Sequence, residues 1–359
     1  MRLVEPLGLL DGAEAEAAIA AGAALPLAGG PLAFSLARLL PDPKPCAVAE
    51  IPKNWAGPLS RLTSQPAADW VHRPSVMGVI NVTPDSFSDG GDFLDPGRAV
   101  AAGLTMSAAG AAVVDVGGES TQPGAPPTLC EIERARVVPV IRGLARQGVR
   151  VSADTRHATT MAAALDAGAV MINDTSALSH DPDAAALLAR AEVPVLLMHM
   201  RGTPATMMAE AAYDDVAVEV TGELAARLAA AEAAGIARER VALDPGIGFA
   251  KTAPHNLELL SRLPLLLNLG CPLVVGVSRK RFIGLISGVP EPRRRLAGSV
   301  AAALFALARG ATMVRVHDVV ETMEALRVWQ ALGSPACHLP PSPVGATTPR
   351  PRHLFSRPA

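Results

Sequence analysis

Eight short apolar runs, Ala-rich amphipathic stretches between them and a polar residue near the end of every run predict an α/β fold, a (β/α)8 TIM barrel. The barrel is expected over residues 75–333, with an N-terminal extension at 1–74 and a disordered, Pro- and Arg-rich tail at 334–359. Runs that are apolar on both faces and separated by helices belong to a parallel sheet.

The extension is rich in Ala, Pro and Gly and carries no catalytic-looking cluster. Ala17 to Ala37 lacks charges, but Gly22, Pro26, Gly29, Gly30 and Pro31 break it. It reads as a helix, a turn and a short strand rather than a membrane span. Pro41, Pro43 and Pro45 exclude helix and mark a linker or stiff turn. Glu5, Asp11, Glu14 and Glu16 stand where a secretory leader would carry positive charge. The barrel runs are Val76–Val82, Ala112–Gly117, Val149–Thr155, Val170–Asp174, Val193–Met200, Val241–Pro245, Leu273–Ser278 and Met313–Val319. Helical patterns fall at Pro96–Ala109, Glu131–Arg146, Ala158–Ala167, Asp181–Ala191, Asp214–Ala234, Arg294–Arg309 and Glu321–Leu332. Toward their ends the runs carry Asn81, Asp115, Asp154, Asn173, His199, Asp244, Ser278 and His317, on average about 34 residues apart. That spacing suits one strand-loop-helix-loop unit, and polar groups at the carboxyl ends of barrel strands converge on one mouth.

Composition narrows the function. The net charge of −2 gives no reason to expect nucleic acid or an anionic membrane as partner. With 3% aromatics, stacked binding platforms are not expected. Cys46, Cys130, Cys271 and Cys337 are scattered, which argues against a disulfide framework or zinc knuckle and for a cytoplasmic home.

Several segments carry chemistry. The first loop, Asn81 to Gly91, is long, polar and ends in Gly-Gly, and Asn81 offers a neutral amide oxygen suited to phosphate-bound Mg²⁺. The second, Gly117 to Pro127, supplies Thr121 and Gln122 as hydrogen bonders, with Glu119 as a possible brace; two such loops make a lid pair. Asp115, Asp154, Asn173 and Asp244 need donors if buried, which a flat heterocycle rich in N–H groups provides. The rival is a divalent-metal cluster with His199 and His317, for which no metal-ligand spacing speaks. Ser278-Arg279-Lys280 and Arg315-Val316-His317 stand where barrels place phosphate sites and favour a di- or triphosphate. Gly246 to Thr252 lacks the spacing of a phosphate loop.

Met77 to Gly91 closely resembles the first signature of dihydropteroate synthases, and Asp115 to Ala125 the second. Ser152–Thr155, Ile172–Asp174, Leu197–Met200, Leu243–Gly246, Ser278–Lys280 and Arg315–Asp318 match the remaining motifs in order. The resemblance implies condensation of 6-hydroxymethyl-7,8-dihydropterin diphosphate with 4-aminobenzoate, releasing pyrophosphate and giving 7,8-dihydropteroate for folate synthesis. It implies a pterin pocket of Asp154, Asn173, Asp244 and Lys280 walled by Phe249 and Met198. It places pyrophosphate on Asn81, Arg315 and His317 with Mg²⁺, and aminobenzoate near Thr121, Pro123, Phe249, Ser278 and Lys280. Asp115 would contact the pterin or order the loops, and Asp115, Lys280, Arg315 and His317 form the expected catalytic set. A homodimer is implied as well. Gln122 departs from the pattern, since the family usually has Arg there, helping to bind pyrophosphate. Two other readings are a pterin-dependent methyltransferase domain, for which no cobalamin-binding part is apparent, and a non-catalytic or altered-substrate pterin-binding paralogue.

Overall fold

The computed structural model describes residues 1–68, 70, 71, 74–84 and 93–333. The tail at 334–359 and the first loop from Asp85 to Gly91 lie outside the described residues. The chain begins with β1 (Leu3–Leu10), α1 (Gly12–Ala20), β2 (Leu25–Pro26), β3 (Ala33–Leu40), β4 (Pro45–Ala47) and α2 (Ala56–Thr63). The barrel follows as β5 (Ser75–Asn81), α3 (Pro96–Ala109), β6 (Val113–Gly117), α4 (Cys130–Ala145), β7 (Val151–Asp154), α5 (Ala158–Asp166), β8 (Met171–Asp174), α6 (Ala184–Ala191), β9 (Val195–Met198) and α7 (Val216–Ala233). It closes with β10 (Val241–Asp244), α8 (Ala253–Ser261), a 3-10 segment (Leu263–Leu269), β11 (Val274–Gly276), α9 (Arg281–Ser287), α10 (Leu296–Ala308), β12 (Met313–Val316) and α11 (Val319–Gly333).

Each predicted run coincides with one strand of an eight-stranded parallel sheet in the order β10-β9-β8-β7-β6-β5-β12-β11. A parallel bridge from Leu243 to Leu273 joins the two ends and closes the ring. The last run was read too long, for Val319 already begins α11. Helix starts follow local capping: Asp95 accepts from Arg98 N at 2.8 Å ahead of α3, and Asp215 from Val218 N at 2.9 Å ahead of α7.

Side chains alternate along each strand, so residues two apart share a face. Met77, Val113, Met171, Leu196, Ala242, Val274 and Met313 form one apolar cluster at the amino ends of the strands. Val71 joins that cluster, with Ala68 and Trp70 packed against it, and plugs the base. Counting by twos toward the carboxyl ends puts Asn81, Asp115, Asn173, Met198, Asp244, Ser278, Arg315 and His317 on the same inward face.

The first part of the chain has its own sheet, with β1, β2 and β4 all antiparallel to β3. The helix, turn and strand expected across Ala17 to Ala37 are α1, β2 and β3. This sheet is packed onto the barrel, because Leu3, Val4, Leu27, Phe34 and Leu62 share one buried cluster with barrel residues. Asn268 completes the edge of β1, accepting from Val4 N at 3.0 Å and donating to Val4 O at 2.8 Å. Buried Glu5 lies between Arg38 at 2.9 Å and Arg262 at 2.6 Å. Among the described residues no helix is long and apolar enough to cross a membrane.

Candidate functional site

Asp115, Asp154, Asn173 and Arg315 form a hydrogen-bonded set at the carboxyl ends of the strands. Arg315 on β12 donates from Nε to Asp115 Oδ2 on β6 at 2.7 Å and from Nη2 to Asp154 Oδ2 on β7 at 2.7 Å. Asn173 on β8 donates from Nδ2 to the same Asp115 oxygen at 2.9 Å. Asp115 is fully buried, and among the described residues its Oδ1 has no hydrogen-bond partner. Asp244, at the end of β10, accepts from Gly246 N at 2.7 Å. Lys280 Nζ stands 4.2 Å from the centroid of the Phe249 ring.

Burial dominates the electrostatics. It pushes the Asp154 carboxyl up to about 7, and the charge of Asp115 adds to the rise while Arg315 opposes it. The same guanidinium bonds both carboxylates, so its pull on Asp154 is shared and burial prevails there. Burial raises Asp244 too, against the backbone hydrogen bond from Gly246 and the pull of Lys280. It lowers the Lys280 ammonium to about 8, although Asp244 favours the charged form. Burial and the cations Arg279, Arg315 and Lys280 hold His317 well below the ordinary imidazole range, so its ring is neutral at pH 7. Ser278 Oγ accepts from His317 N at 3.2 Å and lies 3.0 Å from Nδ1. In the tautomer in which Ser278 Oγ donates to Nδ1, the ring proton sits on Nε2 and can donate to a ligand.

The second loop is pinned at its root. Arg156, two residues past Asp154, donates from Nε to Glu119 Oε2 at 2.7 Å and from Nη2 to Oε1 at 2.8 Å. Thr128 N also donates to Glu119 Oε1 at 2.9 Å, so Glu119 braces both arms of the loop. Between them Thr121 and Gln122 are half-buried and Pro123 is exposed.

One expectation needs correction. His199 does not face the mouth. It shares the parity of Leu197, and its Nε2 meets Glu223 Oε2 of α7 at 2.9 Å while Nδ1 meets Lys251 Nζ at 2.9 Å. Arg315, expected to hold pyrophosphate, also pairs with Asp115 and Asp154. The metal rival loses His199, which is held by Glu223 and Lys251. One group of three potential ligand atoms does exist among the described residues, at Glu119, Glu133 and His157. There Arg156 takes both Glu119 oxygens, while His157 Nδ1 and Thr160 Oγ1 lie 2.9 Å and 2.8 Å from Glu133 Oε2. That group is built as a brace. Sequence reasoning missed Lys251 and Arg156 as working parts. Arg156, two residues past a mouth carboxylate, was a readable signal, whereas Glu133 lies inside α4 and gave none.

The comparisons agree with this geometry. A family model described as pterin binding enzyme matches residues 77–317. The dihydropteroate synthase of Neisseria meningitidis serogroup C is 48% identical over 265 residues, covering 73% of this chain and 93% of that protein. A Xanthomonas albilineans dihydropteroate synthase solved with 4-aminobenzoic acid superposes with a TM-score of 0.68 at 50% identity, covering 72% of this chain and 93% of that one. A structure from the same organism in complex with 7,8-dihydropteroate gives a TM-score of 0.65 at 48% identity, covering 72% and 94%. The sheet of β1 to β4 lies outside the family match.

Proposed function

Because the chain belongs to the dihydropteroate synthase family of pterin-binding enzymes, we propose how its own residues join 6-hydroxymethyl-7,8-dihydropterin diphosphate to 4-aminobenzoate. One observation carries the reading: Asp115, Asp154, Asn173 and Arg315 form a single hydrogen-bonded set on the barrel face shared with Asp244. Asp154, Asn173 and Asp244 present acceptors to the N–H groups of the pterin, with Lys280, Phe249 and Met198 as its walls. Each charge-assisted hydrogen bond contributes about 1.5–3 kcal/mol, enough to select a nitrogen heterocycle. His317 donates from Nε2 to the diphosphate, which in turn stabilises the protonated ring. Arg315 reaches the same anion from beside Asp115 as the leaving group gains charge.

Asn81 ends β5 half-buried on the inward face and offers one neutral oxygen. This fits Mg²⁺, which takes few protein ligands and completes its shell with phosphate oxygens and water. Bound there, the ion would neutralise charge on the departing pyrophosphate. The aminobenzoate amine attacks the exocyclic carbon of the pterin from the side of Thr121, Pro123, Phe249, Ser278 and Lys280, and the C–O bond to pyrophosphate breaks. The electron-rich ring tolerates cationic character at that carbon, so leaving-group stabilisation and alignment do most of the work.

A homodimer is proposed on the exposed apolar residues Leu285, Ile286, Phe305, Val320 and Val328 of α9, α10 and α11. A cytoplasmic home follows from the scattered cysteines, of which Cys46, Cys130 and Cys271 are free. The test is pyrophosphate release by the purified protein with both substrates, with and without Mg²⁺. Release that needs aminobenzoate and rises with Mg²⁺ is expected. Pterin binding without release would favour the non-catalytic reading. Gln122→Arg should lower the KM for the pterin diphosphate; an unchanged or higher KM overturns the role given to the second loop.

A further inference from the structure

The loop after β10 carries Asp244 and Phe249, and a single buried lysine supports its backbone. Lys251 is 3% exposed, and its Nζ lies 3.2 Å from Gly246 O, 3.0 Å from Phe249 O and 2.9 Å from His199 Nδ1. An ammonium has three donors, and these acceptors use all of them. His199 is itself fixed, since Glu223 Oε2 on α7 takes its Nε2 and Arg201 Nε donates to the other Glu223 oxygen at 3.0 Å. The loop is also pressed onto β9: His199 N donates to Asp244 O at 2.9 Å, and a Cβ at Gly246 would lie 1.9 Å from His199 O. Gly246 has φ +66°, which a side chain would strain further.

We propose that Lys251 is a positioning residue: held by the His199–Glu223 pair, it sets the loop so that the Asp244 carboxylate and the Phe249 ring face one subsite. The inference rests on the pterin reading of Asp244 and Phe249. A lysine that only fills the core would need no partner on both strands and would not couple α7 to the loop. The groups acting on its charge are Asp244 and Glu223, which favour the ammonium, and Arg201 and Lys280, which oppose it. His199 is held neutral, down to about 4, and Tyr213 lies 5.9 Å from Nζ. Burial outweighs the two carboxylates and brings Lys251 down to about 7. Above that pH the tripod loses a donor.

The test measures kcat and both KM values from about pH 6 to pH 9, with melting temperatures, for wild type, Lys251→Met, His199→Gln and His199→Leu. Lys251→Met is expected to raise the KM for the pterin diphosphate about tenfold or more, with kcat nearly unchanged. It should also remove the rise in that KM that sets in near pH 7, ahead of the Lys280 step near 8. His199→Gln keeps an oxygen acceptor for Lys251 and should stay near wild type, whereas His199→Leu should follow Lys251→Met. An unchanged pterin KM in Lys251→Met overturns the proposal. So does a loss of kcat alone that tracks loss of folded protein. If Lys251→Met does not fold, the two His199 variants decide, and equal behaviour overturns it. A wild-type protein that binds no pterin diphosphate would instead overturn the reading of Asp244 and Phe249.

Discussion

The two ends of the barrel come from the same strands and the same inward face. At the base, Met77, Val113, Met171, Ala242 and Met313 meet one another and Val71. Two residues further along these five strands, the face becomes Val79, Asp115, Asn173, Asp244 and Arg315, polar on all but the first. The base removes apolar surface from water without stranding a polar group, so it contributes stability directly. The mouth buries carboxylates that would be more stable in water and offsets that cost only in part, since Asp115 Oδ1 has no partner among the described residues. A ligand that donates N–H groups to this end removes the deficit. Stability and binding are thus separated along a few residues of each strand.

The sharpest way to break this contrast is Arg315→Met. It strips the shared partner from Asp115 and Asp154 and takes a cation from the phosphate side. Activity should fall by about 10²–10³. Stability should fall by about 3–5 kcal/mol, because an unpaired buried charge remains. Steady-state kinetics and urea unfolding measure the two losses, and near-wild-type activity would refute the role of the set. At the base, Met77→Ala should cost about 2–5 kcal/mol in urea unfolding while kcat/KM per folded molecule stays put. A change in kcat/KM there would mean that the two ends are not separable.

A smaller effect is expected where the first sheet meets the barrel. Asn268→Ala leaves Val4 N and O without partners and should cost about 1–3 kcal/mol by chemical denaturation, with activity unchanged.

The gentlest probe is pH. Asp154 keeps its proton up to about 7 in the fold, against an ordinary 3.8 unfolded, so the native state binds more protons between those values. Its contribution therefore declines as pH rises through that window and is at its least favourable above it. Lys280 works from the other side. The unfolded chain binds more protons between about 8 and 10.5, so stability recovers across that range. The melting temperature of Asp154→Asn, followed from pH 4 to pH 7.5, should fall less than that of the wild type. Parallel curves would contradict the assignment.

Much of this was legible in the sequence. The eight runs and their polar ends place the mouth, because a parallel barrel forces the carboxyl ends of its strands together. Parity was the weak point: polar residues one position out of step look alike in sequence, and His199 belongs to the outward set with Leu197 while Asp244 belongs inward with Ala242. The pairing of Arg315 could not be read, since its partners lie 200 and 161 residues away. The first sheet was hard to see because β1 contains Pro6 and Gly8, both depleted in strands. Asn268 finishes its edge from a 3-10 segment that no pattern marks.

A crystal structure with the pterin diphosphate bound tests the central assignment most directly. The ring is expected between Asp154, Asn173 and Asp244 with Lys280 and Phe249 beside it, and the diphosphate at His317 and Asn81. A ring seated away from those carboxylates, or a diphosphate on the Glu119–Arg156 side, would contradict it.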